Sequence, residues 1–89
     1  KGGVVALSKS LAIELAPKTR VNTVSPGLID TAMMKGMSDE KQTSMIQSTP
    51  LKRLGHADEI AQVILFLCSS AASYITGENI HVNGGLYRV

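Results

Sequence analysis

The segment that most restricts the fold of this chain runs from Ile60 to Cys68, IAQVILFLC, where Gln62 is the one strongly polar residue. Asp58 and Glu59 stand just before it, where the positive end of a helix dipole favours carboxylates. Residues 57–70 therefore read as a helix, with His56 in the cap position. A helix this apolar around its circumference has to be covered on nearly every side. Cys68, at its end, reads as a buried thiol, since a reactive one favours a polar, electropositive setting.

The rest of the chain supplies little cover. Residues 1–16 read as a second helix, in which Val4, Leu7, Leu11 and Leu15 make one apolar stripe at steps of three and four. Val5, Ala6 and Ile13 add apolar surface off that stripe, which calls for more than one packing partner. Pro17 stops this helix, and Lys18 at its end complements the dipole or offers charge to an acidic partner. Residues 20–24, with Val21, Thr23 and Val24, read as a short strand broken by Ser25-Pro26-Gly27. An irregular stretch spans 28–55, in which Ser38 caps a short helix. Lys41 occupies the third helical position, so the capping box is incomplete. Residues 79–82 read as a second strand, turned by Asn83-Gly84-Gly85.

The order helix, strand, loop and helix, helix, strand predicts a parallel crossover and an α/β fold. Two strands cannot satisfy one all-round apolar helix and one two-faced helix, because parallel sheets need more strands and two covered faces. The expectation is one edge of a Rossmann-like, doubly wound parallel sheet.

The bulk properties exclude several classes. At 89 residues there is one domain at most, and an apolar fraction of 44% argues against disorder. A net charge of +2 with scattered Lys and Arg gives no footprint for nucleic acid. A single cysteine forbids an internal disulfide, and no apolar run is long enough to suggest a membrane span or signal peptide. A cytoplasmic setting is expected, with an organelle left open because the sequence begins at Lys1 rather than Met. His56 and His81 are distant and lack Cys or His partners, so they read as a cap and a strand residue, and no metal site is expected. The carboxylates show no spacing that demands a pair.

Pro26-Gly27-Leu28-Ile29-Asp30-Thr31 leaves the carboxyl end of a strand, where ligands bind in open α/β sheets. Gly27 would let a flat ligand approach the backbone, and Thr31 would offer a hydroxyl. Pro-Gly also marks many ordinary turns, so the segment alone does not decide between a site and a bend.

The run Lys1-Gly2-Gly3-Val4-Val5-Ala6-Leu7-Ser8-Lys9-Ser10-Leu11-Ala12-Ile13-Glu14-Leu15 resembles the helix after the Tyr-x-x-x-Lys motif of short-chain dehydrogenases/reductases. Arg20-Val21-Asn22-Thr23-Val24-Ser25-Pro26-Gly27-Leu28-Ile29-Asp30-Thr31 is similar to the family's next strand and Pro-Gly loop. Pro50-Leu51-Lys52-Arg53-Leu54-Gly55, Ser73-Tyr74-Ile75-Thr76-Gly77 and His81-Val82-Asn83-Gly84-Gly85 follow in the family's order. Asn83 stands where many members carry Asp. Within the family, His81 to Tyr87 and Met37 to Gln42 most resemble reductases of β-ketoacyl groups carried on acyl carrier protein. On this resemblance residues 1–89 are the C-terminal segment of a single NAD(P)-binding Rossmann-like domain.

The resemblance implies hydride transfer between NAD(P)H, with NADPH favoured, and a carbonyl or alcohol substrate. Lys1 would be the active-site lysine, holding the nicotinamide ribose and lowering the pKa of a tyrosine four residues before it. Pro26, Gly27, Ile29 and Thr31 would line the nicotinamide side, Ile29 with its backbone amide and Thr31 with its hydroxyl. Met33, Met34, Met37 and Met45 fall where the family has its substrate loop. They suit either a lid over an acyl chain or ordinary packing. Implied partners are a small carbonyl substrate, acyl carrier protein and further copies of the chain in a tetramer. The proton-donating tyrosine, the catalytic serine and the Gly-rich phosphate loop are not in this sequence, and Tyr74 and Tyr87 cannot take the tyrosine's role. The segment alone is therefore expected to be inactive. The alternative is a non-catalytic module that only packs against itself or a longer relative.

Overall fold

A computed structural model describes residues 2–87. Helix α1 spans Gly2–Leu15, strand β1 Thr23–Pro26, helix α2 Ala32–Lys35, helix α3 Asp39–Ser48, helix α4 Ala57–Cys68 and strand β2 Asn79–Val82. A turn of 3-10 helix, Ser70–Ala72, follows α4. β1 and β2 pair in parallel, with Thr23 opposite Asn79 and Pro26 opposite Val82. The α/β class and the crossover through a helix are as the sequence implies.

The first strand lies further along the chain than expected. Residues 20–22 are held instead by the chain before β2. The Arg20 guanidinium donates to the carbonyls of Ile75 at 3.1 Å and Ser69 at 3.4 Å. Asn22 donates to Ile75 O at 3.0 Å and accepts from the Glu78 amide at 3.0 Å. The Val21 amide reaches the Thr76 hydroxyl, and Val21 O accepts from Gly77 N. Pairing then continues through Pro26 rather than stopping there. Thr23 N donates to Glu78 O and Gly27 N to Val82 O. Alternate residues of a parallel strand donate to the same neighbour, so Pro26, out of phase with both, needs no donor toward β2.

Helix α1 meets the rest of the chain through a small contact. Lys9 Nζ donates to Gly77 O at 2.7 Å, and Ala12 is buried beside Gly77. The stripe predicted to be its buried face is largely open: Val4 and Leu7 are 62% and 61% exposed. Lys18 lies beyond the helix end at Leu15, so it does not complement the last turn.

The interior is correspondingly thin. Among the described residues Ala12, Met34, Leu67, Ala72 and Thr49 are the buried ones, while Ile64, Leu65 and Phe66 of α4 remain exposed. Cys68 is exposed too, contrary to its expected burial. α4 packs on a sheet of two strands, which can cover only one side of a helix that is apolar on several. The radius of gyration, 15.3 Å, exceeds the ~12 Å of a compact domain of this length. Among the described residues no helix is long and apolar enough to cross a membrane.

Candidate nicotinamide-side loop

Because the two strands are parallel, both deliver their carboxyl ends to the same place. Gly27 to Thr31 leave β1 there, and Asn83 to Gly85 leave β2. A β-carbon on Gly27 would lie 2.5 Å from Asn83 Cβ and 2.8 Å from its Cα. The glycine thus serves the close approach of Asn83, just after β2, a demand separate from any that a ligand would make. Asn83 uses both ends of its amide. Its Oδ1 accepts from Gly85 N at 2.9 Å and its Nδ2 donates to Tyr87 O at 3.0 Å. Gly84 and Gly85 take φ of 62° and 89°, a region that L side chains rarely adopt. The turn they make receives the chain just after α3, with Leu51 N donating to Gly84 O at 3.1 Å. Ser25, Pro26, Gly27, His81, Asn83 and Tyr87 line a groove of about 500 Å³ at this end of the sheet. The rings of His81 and Tyr87 meet edge to face, 5.3 Å apart.

Beyond Gly27 the loop is held from one side only. Gly55 N donates to Leu28 O and Asp30 N donates to Gly55 O, both at 2.9 Å. Ile29 therefore sits opposite Gly55 in a parallel bridge. By the phase of that bridge its own N–H and C=O face away from Gly55. Two residues on, Thr31 is exposed in the cap position of α2, yet its hydroxyl caps nothing and has no hydrogen-bond partner among the described residues. An outward backbone donor and a free hydroxyl, two residues apart, match the acceptor and donor of a carboxamide. These two groups suit the nicotinamide carboxamide that the family resemblance implies at this loop.

Met33 is 79% exposed, Met34 is buried at 6%, and Met37 is half-buried. Within the expected lid, then, Met33 faces outward and Met34 belongs to the packing beneath. α3 starts as read from the sequence, with Ser38 Oγ accepting from Lys41 N at 3.2 Å. Lys1 lies outside the described residues.

One cluster escaped the sequence reading. Arg53 forms a two-pronged ion pair with Glu59, each N to O distance 2.8 Å. Arg53 also donates to Leu54 O at 3.1 Å, and Glu59 accepts from the His56 amide at 2.9 Å. The Arg53 hydrogen bonds, followed by the one from His56, lower the Glu59 carboxyl from 4.5 to about 2. The sequence reading places Glu59 in the first turn of α4 and names no partner for it. The signal available was the placement of Glu59, three residues after the cap, where a carboxylate turns back toward the preceding loop. His56 is exposed at the cap as expected. Among the described residues no three His, Cys, Asp or Glu cluster as metal ligands would.

A family profile described as enoyl-(acyl carrier protein) reductase matches residues 1–87. A crystal structure of a short-chain dehydrogenase/reductase, glucose/ribitol dehydrogenase, from Brucella melitensis superposes with a TM-score of 0.94 at 54% identity, covering 100% of this chain and 36% of that one. The chain belongs to the short-chain dehydrogenase/reductase family. A 3-oxoacyl-[acyl-carrier-protein] reductase FabG from Salmonella typhimurium is 49% identical to it over 90 residues, and the Aquifex aeolicus protein of the same name 51% over 88. The match takes in 100% and 98% of this chain but only 37% and 36% of those relatives, so the chain spans just over a third of their length. Across that span its fold is that of the short-chain dehydrogenase/reductase Rossmann sheet.

Proposed function

We propose that the full-length protein containing this chain is an NAD(P)-dependent oxidoreductase that reduces a 3-oxoacyl thioester, with NADPH as its reductant. The observation that carries the reading is the outward Ile29 amide with the free Thr31 hydroxyl at the carboxyl end of β1. The nearly 50% identity to 3-oxoacyl-carrier-protein reductases supplies the substrate class. When bound, the nicotinamide supplies a hydride to the carbonyl carbon. Ile29 N–H and the Thr31 hydroxyl hold its carboxamide, and the backbone at Pro26 and Gly27 borders the same side. Lys1 holds the ribose, and its charge lowers the pKa of the tyrosine hydroxyl that gives the proton to the carbonyl oxygen. Met33 is the lid residue exposed to an acyl chain, with Met37 at its edge and Met34 anchoring it from within. The carrier-protein substrate, a homotetramer and a cytoplasmic setting belong to the same reading, as does the place of residues 1–89 at the C-terminal end of one dinucleotide-binding domain.

The family profile and the relatives differ in the bond reduced, a carbon–carbon double bond against a ketone. The test is cofactor oxidation by the full-length protein with matched 3-oxoacyl and 2-enoyl thioesters, using NADPH and NADH in turn. Turnover of the 3-oxoacyl thioester with NADPH is expected. Turnover of the enoyl substrate alone would replace the substrate class, and absence of dinucleotide binding by calorimetry would overturn the reading.

A further inference from the structure

We propose that the Arg53–Glu59 ion pair is a positioning device for the Ile29 amide, acting through Gly55; the inference rests on the proposed nicotinamide role of that amide. The connection can be followed bond by bond. Arg53 grips both oxygens of Glu59 and the carbonyl of Leu54. Glu59 in turn grips the amide of His56. Gly55 is thus enclosed between two neighbours, Leu54 and His56, that the same pair restrains. Gly55 meets Leu28 and Asp30, one bond to each, on either side of Ile29. A β-carbon on Gly55 would lie 2.9 Å from Ile29 Cδ1, so the side chain of Ile29 rests directly on its backbone.

This arrangement holds the Ile29 peptide from behind. Its face toward a ligand carries no restraint of its own, while the face away from it is bridged to a loop that the ion pair ties to the first turn of α4. Ile29, Arg53, Gly55, Glu59 and Ile60 also line a cavity of about 110 Å³ behind the loop. A guanidinium meeting a carboxylate with two parallel bonds fixes direction as well as distance, which a lysine cannot do. The ion pair itself reaches neither cofactor nor substrate. Its effect is on where the Ile29 donor points.

The experiment measures binding by the full-length protein and its Glu59→Gln, Arg53→Met and Arg53→Lys variants. Two ligands are compared: the dinucleotide that the wild type prefers, and the corresponding ADP-ribose, 2′-phosphorylated if that dinucleotide is NADPH, which has no nicotinamide. Glu59→Gln and Arg53→Met are expected to weaken the dinucleotide about tenfold, the order of one charge-assisted hydrogen bond, and to leave the nicotinamide-free ligand unchanged. Arg53→Lys should recover part of that loss. Should either severe variant fail to fold, Arg53→Lys decides by the same comparison. Equal weakening of both ligands would mean a merely structural pair and would overturn the inference, as would affinities that do not move. If the wild type itself bound the two ligands equally, the nicotinamide role of Ile29 would fail first. A wild type that separates them while the variants match it would leave that role standing and remove the ion pair's part in it.

Discussion

Gly27 and Asn83 meet at the ends of the two parallel strands so closely that a β-carbon on Gly27 would come within 2.5 Å of Asn83 Cβ. Neither neighbour of Gly27 in the chain creates this demand. It arises because β1 and β2 finish level, with Pro26 opposite Val82, and both loops then turn through one corner.

Gly27→Ala should therefore destabilise the full-length protein by roughly 1–3 kcal/mol, the usual cost of forcing extra volume into a packed place. The obstacle includes backbone atoms of Asn83, which cannot rotate away. Gly36→Ala is the matched control. Gly36 has φ −77° and ψ −10°, and its added carbon would meet nothing closer than Met33 O at 3.5 Å. It should stabilise by about 0.4–1 kcal/mol through the unfolded chain. Thermal melts of the two variants should shift in opposite directions, and a shared sign would show that the corner is not the source.

Asn83→Asp tests the other partner. An aspartate keeps the acceptor for Gly85 N but loses the donor to Tyr87 O. The expected loss is about 1 kcal/mol in denaturant unfolding, and faster amide exchange in the residues just after the Gly84-Gly85 turn. No loss would mean that the contact to Tyr87 contributes nothing to the fold.

The Glu59 carboxyl is held near 2, against 4.5 for an ordinary glutamate. A folded value below the unfolded one means that the contribution is complete above about pH 4.5 and is lost as the pH falls toward 2. Glu59→Gln should consequently flatten the dependence of stability on pH across that interval and leave its slope above pH 5 untouched. Acid unfolding of the two proteins provides the comparison, together with direct titration of the Glu59 side-chain carboxyl by NMR.

Thr31→Val removes the hydroxyl while keeping the shape of the side chain. Because that hydroxyl caps nothing, stability should stay within about 0.5 kcal/mol, the range of ordinary surface changes. Dinucleotide affinity should fall about fivefold to tenfold, as for one hydrogen bond. A drop in melting temperature with unchanged affinity would reverse the assignment and make Thr31 a capping residue.

Asn79 to Val82 and Ser38 were placed correctly because the signals are local: a β-branched run before a Gly-Gly turn, and a serine three residues before the amide it caps. β1 was set too early because Pro26 looks like a strand breaker until the partner strand is known to lie on the side that needs no donor from it. Cys68 is exposed although its neighbours in the chain are apolar, because those neighbours do not surround it in space. Thr31 stands out locally as a hydroxyl just after a strand end, the role of the Ile29 amide rests on the family resemblance, and the loop's own residues do not decide between a site and a bend.

The sequence by itself determined the α/β order, the parallel crossover, the capped start of α3 and the family, since these rest on neighbours in the chain and on ordered motifs. Only the tertiary structure decided that Asn83 compels a glycine at position 27, that Arg53 finds Glu59, and that Gly55 holds Leu28 and Asp30 so that the Ile29 amide faces outward. Those three depend on which loops the parallel sheet brings to one end. That is a long-range geometry which side-chain periodicity does not encode, because periodicity reports which face a residue takes within its own element and nothing about the residue it will meet from another.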